Sequence, residues 1–261
     1  MKNFLIGLVF FTLAQGAYAQ TFMPAKESGE ELCVNKKDSK VRCQRTFTSE
    51  RIIQDGKTIY KIDLTAAGDY DKYTDVRLHF TSQMEEKDGF LATLRSTQSI
   101  SDKNGVLIIE HRKEYDYGKK KVYYSAVDKD GKVIAKKTFP IKGRIVDDVG
   151  LGFFLKTVAA HIDNKEYRRF YLLSSEPELY GIDVKKIAEE DFVLPTGKVP
   201  AIKLRLIPDF GVLTGVTGLL VPPTYFWFSK TPPYDDLAYE GLETGLGSAC
   251  VVIKATARKE E

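Results

Sequence analysis

Short segments with strand character recur along the chain, and most of the connections between them are too short to hold a helix. They span residues 58–66, 76–81, 90–100, 106–117, 122–127, 132–139, 167–174, 180–188, 199–207, 225–228 and 249–257. Turns such as Gln54-Asp55-Gly56 contain Asp and Gly, which tolerate the positive φ angles of tight hairpins. Parallel neighbours would need long crossover connections, so we expect antiparallel strands in a large sheet that curls on itself.

One segment has helical rather than strand periodicity. Apolar residues at Leu151, Phe154, Leu155 and Val158 follow the acidic pair at positions 147–148 with the spacing of a single buried stripe. This pattern predicts a short helix over residues 147–160 that lies against the sheet. We find no Pro- or Ser-rich linker and no internal repeat, so residues 20–261 are expected to form a single domain.

The first 19 residues have the features of a secretory signal peptide. Lys2 precedes an apolar run over residues 4–13, and small residues lead to Ala17-Tyr18-Ala19. The apolar run is too short to span about 30 Å of hydrocarbon as a helix. We predict cleavage before Gln20, export to the periplasm and no transmembrane span in the mature chain.

Composition narrows the class of partner. The formal net charge is +3, and 43% of the residues are hydrophobic. Disordered chains combine low hydrophobicity with high net charge, and nucleic-acid-binding domains show a concentrated basic excess. We therefore expect a folded protein with no nucleic-acid partner.

Export changes the interpretation of the three cysteines, because thiols oxidise outside the cytoplasm. Cys33 and Cys43 flank a polar stretch symmetrically and are predicted to form a cross-strand disulfide on an N-terminal hairpin. The spacing is not that of a C-x-x-C redox pair. Cys250 lies in an apolar run and is expected to be buried as a small hydrophobic residue, with a reactive thiol as the alternative.

Sequence signatures of catalysis are missing. His79, His111 and His161 are far apart and lack metal-ligand spacing. No G-x-S-x-G, P-loop or G-x-G-x-x-G motif occurs. We predict no catalytic residue, no metal, no cofactor and no enzymatic activity.

The most informative segment for function is uncharged over its 19 residues, 210–228. Pro222-Pro223 divides it into an apolar hairpin or lid over residues 211–221 and a short aromatic strand over residues 225–228. The candidate lid and groove residues are Phe210, Leu213, Leu219, Leu220, Val221, Tyr225 and Trp227. The alternatives are that the loop packs over one end of the sheet, and that Trp227 is a core residue.

The order of signals from residue 147 onward resembles the periplasmic family known as domain of unknown function 3108. That family carries an acidic residue before a short apolar helix, a Gly turn into a strand, a Trp-x-Ser strand and a late Gly-Ser step. The matching segments are residues 147–156, 195–204, 227–229 and 247–252. In the N-terminal half, only the rhythm of the strands matches.

The resemblance implies a mainly β fold similar to the lipoprotein carriers of the LolA/LolB type. This is a curved antiparallel half-barrel with one or two short helices covering the open side. By analogy, the protein would hold an apolar ligand or a lipidated partner in the concave face, and peripheral contact with a membrane is left open. The alternatives are an assembly factor of the cell envelope that binds a protein partner, and an enzyme acting on envelope polymers.

Overall fold

A computed structural model describes residues 23–175, 177–209, 221–245 and 247–260. These residues form one open sheet of 15 strands and a single α-helix, α1 (Leu151–Ala160). The strands are β1 (Lys26–Asn35), β2 (Val41–Gln54), β3 (Lys57–Tyr70), β4 (Tyr73–Lys87), β5 (Phe90–Ser101), β6 (Leu107–Asp116), β7 (Lys121–Asp128), β8 (Val133–Pro140), β9 (Ile145–Asp147), β10 (Arg169–Leu173), β11 (Leu179–Leu194), β12 (Gly197–Asp209), β13 (Thr224–Ser229), β14 (Asp236–Leu242) and β15 (Cys250–Glu260). The mainly β fold class is therefore confirmed.

Two meanders meet at the middle of the sheet. Strands β1 to β8 run outwards in chain order on one side, and β15 back to β9 run outwards on the other. Antiparallel pairing of β1 with β15 joins the two halves. The expected antiparallel order holds throughout except between β9 and β10, which are parallel. Helix α1 and a 3-10 turn (Lys165–Arg168) lie in the connection that makes this exception possible.

Buried and exposed residues alternate along the strands, so one face of the sheet is turned towards the helix. In β3, Tyr60, Ile62 and Leu64 are buried, while the intervening Lys61 and Asp63 are exposed. We call the face that contacts α1 the inner face and the opposite one the outer face. Tight turns set the register: the β2–β3 hairpin turns through Asp55 and Gly56, with φ angles of 51° and 74°.

Helix α1 lies inside the curve of the sheet rather than on its rim. The predicted stripe is found, since Phe154, Leu155 and Val158 are buried. Lys156 and Thr157 on other sides of the helix are buried as well. The helix is thus enclosed, and the core around it also includes Tyr60, Met84, Phe90, Phe170, Leu204 and Phe228. Much of the concave face is therefore filled.

The two ends of the sheet approach each other without pairing. Tyr115 and Val122, from β6 and β7, pack with Ile145 and Leu173, from β9 and β10. The sheet consequently coils around α1. None of the helices in the described part of the chain has both the length and the apolar character needed to cross a membrane.

Candidate functional site

A cavity of about 210 Å³ remains between α1 and the inner face of the central strands β1, β2, β14 and β15. Leu151 and Phe153 of α1 form one wall. Phe47, Leu64, Phe226, Ile253 and Ala255 contribute apolar walls from the sheet. This is the part of the concave face that the helix leaves open.

One end of the cavity carries a cluster of charged side chains from the two central strand pairs. Register places Glu31 opposite Arg45, so both lie on the inner face. The Glu31 carboxylate lies 3.2 Å from Nε of Arg45 and accepts a hydrogen bond of 3.1 Å from Nη2 of Arg258. The Arg258 guanidinium also stacks on the Phe47 ring, 4.4 Å from its centroid. One carboxylate therefore lies between two guanidinium groups.

Asp236 is the second carboxyl group at this end and has no close cation. No lysine or arginine nitrogen of the described chain comes within 4 Å of its carboxylate, although Arg258 donates to its backbone carbonyl at 2.5 Å. Removal from water and the nearby Glu31 carboxylate raise the pKa of Asp236 to about 7, against the opposing effect of Arg258, Lys156 and Arg45. Carboxyl groups with such shifts in a cleft are common at functional sites.

A buried ion pair ties α1 to the first strand. Nζ of Lys156 lies 2.7 Å and 2.9 Å from the two carboxylate oxygens of Glu27. Both side chains are almost fully buried, with 4% and 2% exposure. Ser49 donates a further hydrogen bond of 3.2 Å to Glu27, and Asp235 lies 3.8 Å from the ammonium. This pair positions the helix face that lines the cavity.

Two small residues allow the close approaches around the charged end. A Cβ atom on Gly29 would lie 2.3 Å from Nη1 of Arg258, so only glycine admits the guanidinium there. A Cβ atom on Gly152 of α1 would lie 3.0 Å from the carboxylate of Asp236. Gly29 thus makes room for the Arg258 guanidinium and for the Phe47 ring on which it stacks, and Gly152 makes room for Asp236.

The acidic pair before α1 anchors the start of the helix. Asp147 accepts hydrogen bonds from Ser96, from Tyr115 at 3.0 Å and from the Gly150 amide at 3.0 Å. Burial opposes ionisation of Asp148, yet the Lys113 ammonium, 2.5 Å away, and the Ser175 hydroxyl outweigh it and lower the pKa of Asp148. These contacts position the start of α1, since they connect the residues before the helix to β5 and β6.

The structure separates the residues predicted as lid and groove. Phe210, Leu213, Leu219 and Leu220 lie outside the described residues, and Val221 is partly buried. Tyr225 and Trp227 lie on the outer face, whereas Phe226 and Phe228 between and beside them point to α1.

Trp227 packs as a residue of an outer-face cluster. Its Nε1 donates to Glu190 at 2.7 Å, and its ring lies 4.5 Å from Nζ of Lys203. Neither Tyr225 nor Trp227 lines the cavity. Tyr225 and Trp227 therefore lie on the face opposite the cavity, and their role in binding stays a prediction. Every residue from Tyr225 to Phe228 is aromatic, so the sequence does not show which alternate pair points inwards.

Sequence reasoning missed the charged residues of the cavity. A signal was available, because Glu27, Glu31 and Cys33 share one side of β1, and Arg45 shares the side of Cys43 on β2. Cysteines are among the most often buried residues, so sharing a side with them would have placed these charges inside. Two strands, β9 and β14, were also missed, because the first is three residues long and the second begins at an acidic pair.

A larger depression, of about 590 Å³, lies on the outer face of β2 to β6. Exposed polar side chains line it and several pair with outer-face neighbours, such as Asp63 with His79 at 2.8 Å and Thr97 with Thr81 at 2.6 Å. It has the character of a solvated sheet surface. The described residues contain no group of three or more His, Cys, Asp or Glu side chains suited to a metal ion.

Comparison with known proteins gives a fold but no activity. No family model matches the chain, and no curated protein matches its sequence. A solved structure from Brucella abortus, a β-barrel-like protein of domain of unknown function 1849, matches with a TM-score of 0.53 at 8% identity, covering 91% of this chain and 98% of that one.

Two further structures match more loosely. A candidate lipoprotein from Parabacteroides distasonis has a TM-score of 0.36 at 8% identity, covering 91% of this chain and 98% of its own. A candidate exported protein with a YmcC-like fold from Bacteroides fragilis has a TM-score of 0.37 at 9% identity, covering 90% and 95%. The Brucella structure alone is close enough to support the β-barrel-like fold.

Proposed function

We propose that this is a non-enzymatic binding protein of the cell envelope that holds the apolar part of a small amphiphile in the cavity beside α1. The observation that carries the proposal is a cavity with apolar walls and a charged end, inside the curved sheet. Apolar clefts with a few convergent polar groups are the usual form of small-molecule sites. Burial of each CH₂ group would contribute about 0.8 kcal/mol.

The size of the cavity limits the ligand. Pockets for drug-sized molecules measure about 300–1,000 Å³, whereas this one measures about 210 Å³. The core around Phe154 and Leu155 occupies the neighbouring part of the concave face. The proposed ligand is therefore a single short chain, or the end of one chain of a lipidated partner, rather than a whole lipid.

Filling the cavity is expected to abolish binding. Ala255 is 4% exposed and lines the cavity, and Thr256, the next residue, is exposed. We expect Ala255→Phe to weaken binding of the neutral fluorescent probe N-phenyl-1-naphthylamine at least about 10-fold, because the ring would occupy the ligand's space. Thr256→Phe, which carries the same ring outside the cavity, should bind like the parent. Equal binding by both variants, each folded by circular dichroism, would place the ligand elsewhere.

A protein partner is the second candidate, and the filled part of the concave face favours it. In that case the protein would act as an assembly factor, and the cavity would carry no ligand. A partner that co-purifies in stoichiometric amount, with no probe binding at the cavity, would support this function instead.

We further propose that the chain is exported, on the pattern of residues 1–19, and belongs to the domain of unknown function 3108 family. The proposal is supported by the elements in which the matching segments lie. Residues 147–148 precede α1, Gly197 begins β12, and Trp227 and Ser229 lie in β13. Gly247-Ser248 precedes β15.

Export would also allow the two cysteines of the N-terminal hairpin to form a disulfide, which leads to a prediction about stability. Cys33 and Cys43 are directly opposite each other in the register of β1 and β2, are buried, and are thiols in the structure. Their mutual hydrogen bond and burial raise the pKa of Cys33, while the same hydrogen bond lowers that of Cys43. Cys250, expected to be buried, is only partly so, because it is the first residue of β15.

We expect the exported protein to lose about 2–3 kcal/mol of unfolding free energy on reduction, because the disulfide restricts the unfolded chain. Urea unfolding with and without reductant measures this difference, and Cys33→Ala/Cys43→Ala is the control that should not respond. An equal response in that control would assign the effect to Cys250. Two free thiols in the exported protein would refute the disulfide.

A further inference from the structure

At the charged end of the cavity, two guanidinium groups share a single carboxylate, that of Glu31. Nζ of Lys156 is engaged by Glu27 at 2.7 Å and lies 3.8 Å from Asp235, so its charge is fully matched. Arg45 and Arg258 share the single carboxylate of Glu31. The remaining acid, Asp236, has a pKa of about 7 and is therefore largely protonated below that pH. Below that pH, Glu31 is the one ionised carboxylate of the described residues that pairs with the two guanidinium groups.

Several hydrogen-bond donors of the two arginines at this end of the cavity lack an acceptor. Nε of Arg45 and both Nε and Nη1 of Arg258 are buried without a hydrogen-bond acceptor in the described protein, the contact of Arg45 with Glu31 being an ion pair only. A guanidinium group remains charged at all relevant pH values, so it cannot relieve this by losing a proton. Buried donors without acceptors are uncommon in folded proteins and call for a missing partner.

Apolar walls adjoin these two guanidinium groups. Leu151 and Phe153 line the cavity from α1, and Phe47, Leu64 and Ala255 line it from the sheet, with the rings of Phe153 and Phe47 in edge-to-face contact. A molecule that satisfies both regions needs an anionic group joined to an apolar chain. An uncharged chain would leave the guanidinium donors unpaired, and a cationic head group would be repelled.

We propose that the cavity binds a single-chain amphiphile with a carboxylate head group, held by Arg45 and Arg258 while its chain contacts the apolar walls. This inference rests on the proposed function and names the chemical class of its ligand. Carboxylates and guanidinium groups form short, charge-assisted hydrogen bonds with matched geometry. Glu31 then holds the two arginines in place.

Head-group comparison on the unmodified protein tests this inference. Isothermal titration with decanoate, decanol and decyltrimethylammonium presents the same chain with three different charges. We expect decanoate to bind at least about 10-fold more tightly than the other two. Decanol binding as tightly as decanoate would overturn the head-group inference and leave the proposed function intact. Failure of all three to bind would overturn the proposed function itself.

Two charge variants should change the affinity for decanoate in opposite directions. Arg258→Gln should weaken its binding at least about 10-fold and remove most of the preference for decanoate over decanol. Asp236→Asn should strengthen it several-fold at pH 8, because the variant removes a competing negative charge. Arg77→Gln, on the exposed side of β4, is the control and should match the parent. Weaker binding by Asp236→Asn would contradict the inference. Stronger binding by this variant would be informative, because a partly unfolded protein would lose affinity rather than gain it.

Discussion

Lys156→Met is expected to lower the free energy of unfolding by about 3–5 kcal/mol, because it leaves the buried Glu27 carboxylate without its cation. The pair is 2.7 Å apart, and both side chains are almost inaccessible to water. Neutralising both partners, in Lys156→Met/Glu27→Gln, should recover most of this loss, since the fully buried carboxylate is removed with its cation and the new amide oxygen can still accept a hydrogen bond from Ser49. Urea unfolding at constant m-value measures all three proteins.

An exposed pair supplies the control for this cycle. Lys57 lies 3.1 Å from Glu85, and its side chain is 59% exposed. Lys57→Met should cost less than about 1 kcal/mol, because water screens the pair. If Lys156→Met cost no more than Lys57→Met, the helix would not be seated against β1 as described, and the cavity walls would be wrong.

Asp236→Asn is expected to stabilise the protein at pH 8 by as much as about 4 kcal/mol. Burial raises the pKa of Asp236 from 3.8 to about 7, so the native state binds this proton more tightly than the unfolded state. Stability contributed by the protonated group is present below about pH 4 and is lost as the pH rises through 7. An asparagine has no proton to lose, so the variant should keep that stability at pH 8.

The difference between the parent and this variant should grow from about pH 4 to pH 7 and then level off. Urea unfolding at pH 5 and pH 8 gives the two values needed, and Asp130→Asn removes the same formal charge from a side chain that is 69% exposed, as a control. A loss of stability at both pH values would show that the Asp236 carboxyl group is a structural hydrogen-bonding group.

Strand periodicity and turn chemistry predicted the sheet well because both act locally. Residues such as Tyr60 and Ile62 alternate with exposed neighbours, and Asp55-Gly56 fits a tight hairpin. The hairpin of Cys33 and Cys43 and the stripe on α1 followed from the same local rules. The lone parallel pair, β9 with β10, was missed because a three-residue strand has too few positions to show a pattern.

The site was less predictable because it depends on which strands become neighbours. Arg258 and Glu31 are 227 residues apart in sequence and meet only because β1 pairs with β15. Lys156 interrupts an apolar helix, yet nothing in the sequence shows that Glu27 meets it. Trp227 and Tyr225 were placed in the groove on aromatic character alone, and the parity of their strand puts them on the outer face.

Native mass spectrometry of the exported protein, purified without detergent, tests the central claim most directly. The account predicts one bound amphiphile of low mass, removable by organic solvent, on the parent and on Thr256→Phe but absent from Ala255→Phe. A bare polypeptide mass for the parent that stays unchanged after incubation with excess decanoate would contradict it.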